Sequence, residues 1–177
     1  QVSFFYPLGT NGIDSPDYSN CFSFNIISGL NGGVNGTELA GISNTNMGDV
    51  NALQIAGIAN VNMKSANGII ISGITNVIKD SSQSICIAGI SNVVGGTTNN
   101  SGLQVAGISN LNNSNFNGGQ VSGIVNLNNG NLQGIQVAGI SNVNNGSLIG
   151  SQVSGISNTT NGNLTGSQIG IINKSKD

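Results

Sequence analysis

The side chains able to do chemistry in this sequence are few and scattered. The acids are Asp14, Asp17, Glu38, Asp49, Asp80 and Asp177, the bases Lys64, Lys79, Lys174 and Lys176, and the thiols Cys21 and Cys86. Histidine is absent, so the side chain that most readily moves a proton near neutral pH, and the commonest metal ligand, is missing. Two carboxyl groups can share the cleavage of a glycosidic bond, but Asp49 and Asp80 fall in turns of different repeats. Serines recur at fixed spacing without a base to activate them. Calcium-binding nonapeptide solenoids carry repeated Asp after Gly-rich turns, and that pattern is not found. The reading is a protein with no catalytic, cofactor-binding or metal-ligating residue, needing no cofactor, and not an enzyme.

Charge and hydropathy narrow the partners. A net charge of −2 with four scattered lysines and no arginine does not neutralise a phosphate backbone, so nucleic acid is excluded. No apolar run approaches the ~18–20 residues that cross a bilayer as a helix. No signal peptide is present, and Gln1 opening into Val-Ser-Phe-Phe-Tyr-Pro reads as a mature end left by signal cleavage. Several Asn-x-Ser/Thr triplets are what chance places in a chain so rich in these residues.

The elements that hold these residues follow from one repeat, Gln-Val-Ala/Ser-Gly-Ile-Ser-Asn-Val-Asn-Asn-Gly-x-Leu-x-Gly-x. Its central glycine recurs at 41, 57, 73, 89, 107, 123, 139 and 155, in steps of 16 with one step of 18. The two extra residues fit a bulged turn within 95–100. An earlier copy begins at Gly29, and the last, around Gln168 to Asn173, is one residue out of step. Sixteen residues are too few for a helix-pair repeat, and Gly and Asn are poor helix formers. Two short strands and two turns fit well, each coil stacking in parallel register on the last. Equivalent residues then form ladders: aliphatic (Leu39, Ile55, Ile71, Ile87 and onward), Ala or Ser, Ile after the glycine (Ile42, Ile58, Ile74 and onward), and Asn at Asn44, Asn60, Asn76, Asn92, Asn110, Asn126, Asn142 and Asn158. The Asn column is expected to hydrogen-bond from coil to coil and to tolerate left-handed turn backbone. Asn-Asn-Gly clusters mark turns.

The two aliphatic columns lie three residues apart, which on a straight strand puts them on opposite faces. A bend at the Ala/Ser-Gly pair, sending both inward, is the favoured reading; each coil would then bury three or four aliphatics. The other is an outward apolar stripe for docking. Ladders ~4.8 Å apart leave Cys21 and Cys86 too distant for a disulfide, and each is read as a free, small, buried hydrophobe.

The expected fold is an all-β, single-domain parallel β-solenoid (β-helix) of about nine 16-residue coils. Residues 1–28 form an N-terminal cap or docking segment, 29–173 the repeats, and 174–177 a tail. Bulky Phe4, Phe5, Tyr6, Tyr18, Phe22 and Phe24, with Pro7 and Pro16, are suited to plug the open end of the stack. The same aromatics are the candidate partner-docking residues.

The copies Gln136–Asn142 and Gln152–Asn158 resemble the Gly-x-Gln-x-x-Gly-x-x-Asn repeats of bacterial surface repeat-containing proteins, of leptospiral and Bacteroidota type. Pro7 to Gly12 and the 25–35 stretch resemble the start of the Bacteroidota members, so the likeness covers nearly the whole chain. The further Gln-x-Gly-x-x-Asn coil and aromatic, basic tail with which members often end are missing. The resemblance implies an exported solenoid, at the cell surface, outer-membrane-associated or extracellular, and carries no activity with it.

The leading function is a structural or protein-interaction module of the cell envelope, such as an accessory subunit of a larger outer-membrane assembly. A glycan-binding or adhesive module is an alternative with one aromatic, Phe116, in the repeats to support it; a self-assembling filament is another. Ice binding would want a regular threonine array, and threonine is sparse.

Overall fold

A computed structural model describes residues 1–176. The chain winds through about ten turns of about 16 residues, each contributing a long and a short strand. Long strands such as Ser82–Ala88, Asn100–Ala106 and Phe116–Ser122 pair in parallel and in register with their counterparts one coil away. Short strands such as Ser91–Val94 and Ser109–Asn112 do the same in a second ladder. Like therefore sits over like: Gln104 pairs with Gln120, Val105 with Val121, and Asn110 with Asn126. The 18-residue step is absorbed between paired Val94 and Asn112, where Gly96 takes a φ of +77°. At the far end the register step shortens, with Asn158 opposite Asn173.

Most long strands carry a glycine of positive φ at one equivalent position. Gly118, Gly134, Gly150 and Gly166 share φ values of +141° to +149°, and a Cβ on any of them would meet the backbone of the glycine one coil before. An L-residue pays for both faults there. In the same column Ala52 and Ser84 have ordinary backbone, because no non-glycine residue among those described has a positive φ. The Asn columns accordingly lie in regular strand and make no use of left-handed backbone.

The orientation of the ladders corrects the expected core. Both aliphatic columns point outward: Ile87 is 39% exposed and Ile90 43%, and the pattern repeats along the stack. The reason is parity. Gln136 and Ala138 face in, so Val137 between them faces out, and Ile140 projects from the corner beyond Gly139. The aliphatics are covered mainly by the equivalent side chains of adjacent coils. The interior is lined by Gln, Asn, Ala and Ser, with one column of Val, Phe and Leu that includes Phe116, Leu132 and Leu148.

A polar interior is stable here because stacking satisfies it. Asn126 is fully buried. Its amide nitrogen donates to Asn142 Oδ1 (2.9 Å) and to the carbonyls of Val137 (2.7 Å) and Gln120 (3.2 Å), and its oxygen accepts from Asn110 (2.9 Å). The ladder runs unbroken from Asn44 to Asn173, every rung donating toward the C-terminus. Glutamines 120, 136, 152 and 168 make a second ladder, donating toward the N-terminus at 2.6–2.7 Å. Each such bond contributes roughly 0.5–1.5 kcal/mol net, and leaving one unmade when buried costs more.

Two coils differ. Ile70 and Cys86 stand in the glutamine column, and Ile78 and Val94 in the second inward Asn column, so the amides give way together to an apolar plug. Gln54 and Asn62, one coil earlier, exchange two amide bonds across the interior (3.2 and 2.9 Å). Replacing one member of such a pair would strand the other, which explains why both change. The plug leaves Gln104 Nε2 without a protein partner.

Candidate functional site

The N-terminal segment covers the first coil, though not as a hydrophobic plug. Val2–Phe5 stacks in parallel on Ser19–Asn25, and a 3-10 helix at Gly12–Asp17 crosses the end. The groups turned into the stack are polar. Gln1 Oε1 accepts from Ser15 Oγ (2.6 Å) and Asn11 (3.0 Å), and Ser3 Oγ donates to Asn25 Oδ1 (2.6 Å). Phe4, Phe5, Tyr6, Tyr18, Phe22 and Phe24 are all exposed, at 40–54%. An interior built of amides has no apolar end to plug, so polar residues cap it and the aromatics are left outside. Coil stacking also reaches both expected flanks: it begins within 1–28, and Ile172–Lys176 continues it as a strand.

Register shows what several of these aromatics join. Phe24 pairs with Leu39 and so heads the outward column Leu39, Ile55, Ile71, Ile87. Phe22 pairs with Thr37 and heads the neighbouring column, which continues through Leu53, Ile69, Ile85 and Leu103. The corner isoleucines, Ile42 to Ile156, run alongside. One side of the solenoid therefore carries an aliphatic strip: the column through Leu39 and Ile55 and the corner isoleucines run its length, while the Phe22 column is interrupted by Thr37, Gly119, Ser151 and Ser167.

One turn edge is hydrophilic, and the short-strand face beside it carries half-buried Val and Leu such as Val77 and Leu127. Turns between each short strand and the next long strand carry Asp49, Lys64, Lys79 and Asp80, all exposed. Here the Asn-Asn-Gly clusters form external ladders, with Asn129 donating to Asn113 (2.9 Å) and Asn145 to Asn129 (2.8 Å). A groove of about 480 Å³ lies where this edge meets the outer face of the long strands, lined by Asn115 and Asn131 of the turns and by Asn117, Gln133 and Ile149 of the strands. Phe116 and Leu132 contribute to its floor, although both are buried in the interior leucine column.

Glu38 is the one acid turned inward among the described residues. It occupies the glutamine column and accepts from Asn46 (2.8 Å), Gln54 (2.9 Å), Asn25 (3.4 Å) and Asn31. Burial holds its carboxyl above the ordinary carboxylate range, against the lowering effect of the four amides. No group of three His, Cys, Asp or Glu side chains able to hold a metal occurs among the described residues. Cys86 is buried and its thiol is pushed up to about 11 by desolvation, while Cys21 is exposed, contrary to the expectation that both are buried; both are free.

Fold and surface together define a β-solenoid repeat protein that is amphipathic about its long axis, with amides inside and aliphatics along one flank. Comparison with protein-family models, curated proteins and solved structures finds no match.

Proposed function

We propose that the chain is a non-catalytic structural or protein-interaction module of a bacterial cell envelope, exported, docked to a protein partner through its aliphatic flank and forming part of a larger outer-membrane assembly. The observation that carries this reading is the inversion of the usual arrangement. Monomeric proteins rarely expose contiguous apolar surface of this extent without a binding role. Here the amides that could have faced water are spent on the interior, and the aliphatics that could have filled the interior face out. The exposed Phe22 and Phe24 lengthen the same strip, and aromatics supply anchors at many interfaces. The resemblance of the repeat pattern to that of bacterial surface repeat-containing proteins supports the envelope location.

A photo-reactive residue placed at Ile87 on the aliphatic flank, or at Asn129 in the external turn ladder, tests this in the producing bacterium. Ile87 should give a discrete cross-linked product in the envelope fraction and Asn129 should not. Products of equal yield from both positions, or none from either, would sink the reading.

A further inference from the structure

We infer that the aliphatic flank is the contact surface of a closed homodimer, two copies packed with their long-strand ladders face to face. The inference rests on the docking reading above and names its partner.

Three observations select a second copy. The first is commensurability. The Val/Ile column offers an aliphatic side chain at the strand spacing of ~4.8 Å in every coil, as Ile87 pairs onto Val105 and Val105 onto Val121. A surface with the same period interlocks with it at every coil, as the facing sheets of a steric zipper do, and the molecule's own flank has that period. The second is charge. The four charged residues in the repeat turns, Asp49, Lys64, Lys79 and Asp80, lie at the turn edge outside the aliphatic columns, so two flanks meet without burying an ion. A lipid-facing surface is usually bordered by Lys, Arg, Trp or Tyr at headgroup level, and the repeats contain no Arg, Trp or Tyr. The third is area. About ten coils at ~4.8 Å give a strip of roughly 45 Å, and five residues of width at ~3.3 Å give roughly 16 Å. The product, on the order of 700 Å², is close to the ~800 Å² per partner of a standard stable interface. Two-fold symmetry closes the pair and leaves no flank free.

Sedimentation velocity of the purified chain between about 1 and 100 μM tests the inference, with Ile87→Lys and Val121→Lys on the flank and, as amide-side variants, Asn113→Lys and Asn129→Lys in the external turn ladder. The wild type and both amide-side variants should sediment as dimers. Each flank variant should weaken the dimer on the order of a hundredfold, because symmetry places two lysines in every interface. Far-UV circular dichroism checks folding, and Ile87→Thr, which keeps the β-branch, serves if a lysine variant fails to fold. A wild type that is monomeric at 100 μM, a dimer indifferent to both flank lysines, or open-ended growth into filaments overturns the inference. Monomers that bind neutral phospholipid vesicles through the flank overturn it in favour of a lipid surface. If the purified chain stays monomeric while Ile87 still cross-links to a different envelope protein, the homodimer fails and the docking reading stands.

Discussion

Asn126→Ala is the sharpest probe of a polar interior held by coil-to-coil bonding. The substitution removes the donor to Asn142 Oδ1 at 2.9 Å and the acceptor for Asn110 Nδ2 at 2.9 Å, and it deprives the carbonyls of Val137 and Gln120 of a side-chain donor. Asn110 keeps two backbone acceptors, so its loss is partial. Asn142 Oδ1 has no second donor, and the site is closed to solvent. One orphaned acceptor, one weakened donor and a small cavity, at roughly 1–3 kcal/mol per unmade buried bond, come to about 3–5 kcal/mol. Asn173→Ala removes the last rung, where the residue is exposed and water can replace the lost partners, and should cost less than about 1 kcal/mol. Urea unfolding followed by circular dichroism reads the difference. With a slope of about 2 kcal/mol per molar, the midpoint of Asn126→Ala should fall by about 1.5–2.5 M and that of Asn173→Ala by under about 0.5 M. Equal, small shifts for both would refute the claim that the interior ladder, as distinct from backbone pairing, holds the coils together.

Glu38→Gln should stabilise the protein at neutral pH. A carboxyl raised in the folded state from its ordinary 4.5 contributes most below that value, and its contribution is lost as pH rises through the folded pKa. The variant restores the column's usual residue, and Asn46 Oδ1, which has no partner, becomes available to the new amide if Asn46 reverses. Its advantage should grow between about pH 4.5 and 8; a variant less stable than wild type at pH 8 contradicts this. Cys86→Gln and Val94→Asn should each destabilise alone, and the pair together by about 1 kcal/mol less than their sum, as a double-mutant cycle in urea would measure. Strict additivity would mean that the paired exchange seen in the plug has no energetic basis. A disulfide reagent at pH 8 should titrate one thiol per native chain, Cys21, and the second only after unfolding, because Cys86 is buried and poorly ionised.

The architecture was legible in the sequence because a strict period leaves few alternatives. The 16-residue step, the 18-residue exception and the shortened last copy all reappear as strand register. The direction of the ladders was not, and Val137 illustrates why. Its neighbours Gln136 and Ala138 give an unambiguous alternation, but hydrophobic side chains are ordinarily assigned to the inside, and that habit fails when amides can satisfy one another by stacking. The signal that could have found it is the alternation itself, read with the smallness of the Ala/Ser column, which suits a narrow interior. Phe22 and Phe24 were singled out as docking candidates for their size. Their place at the head of two aliphatic columns became visible only through the pairing of Ser19–Asn25 with Gly33–Ala40.

The amide ladders run in opposite senses, the two interior asparagine columns donating toward the C-terminus and the glutamines and the external asparagines toward the N-terminus. Reversing a single carboxamide would set donor against donor on one side of it and acceptor against acceptor on the other. Orientation is thus a property of a whole column, copied from each turn to the next as it is laid down. Because the columns oppose, their dipoles offset one another, and a stack can lengthen by whole turns without accumulating a field along its axis.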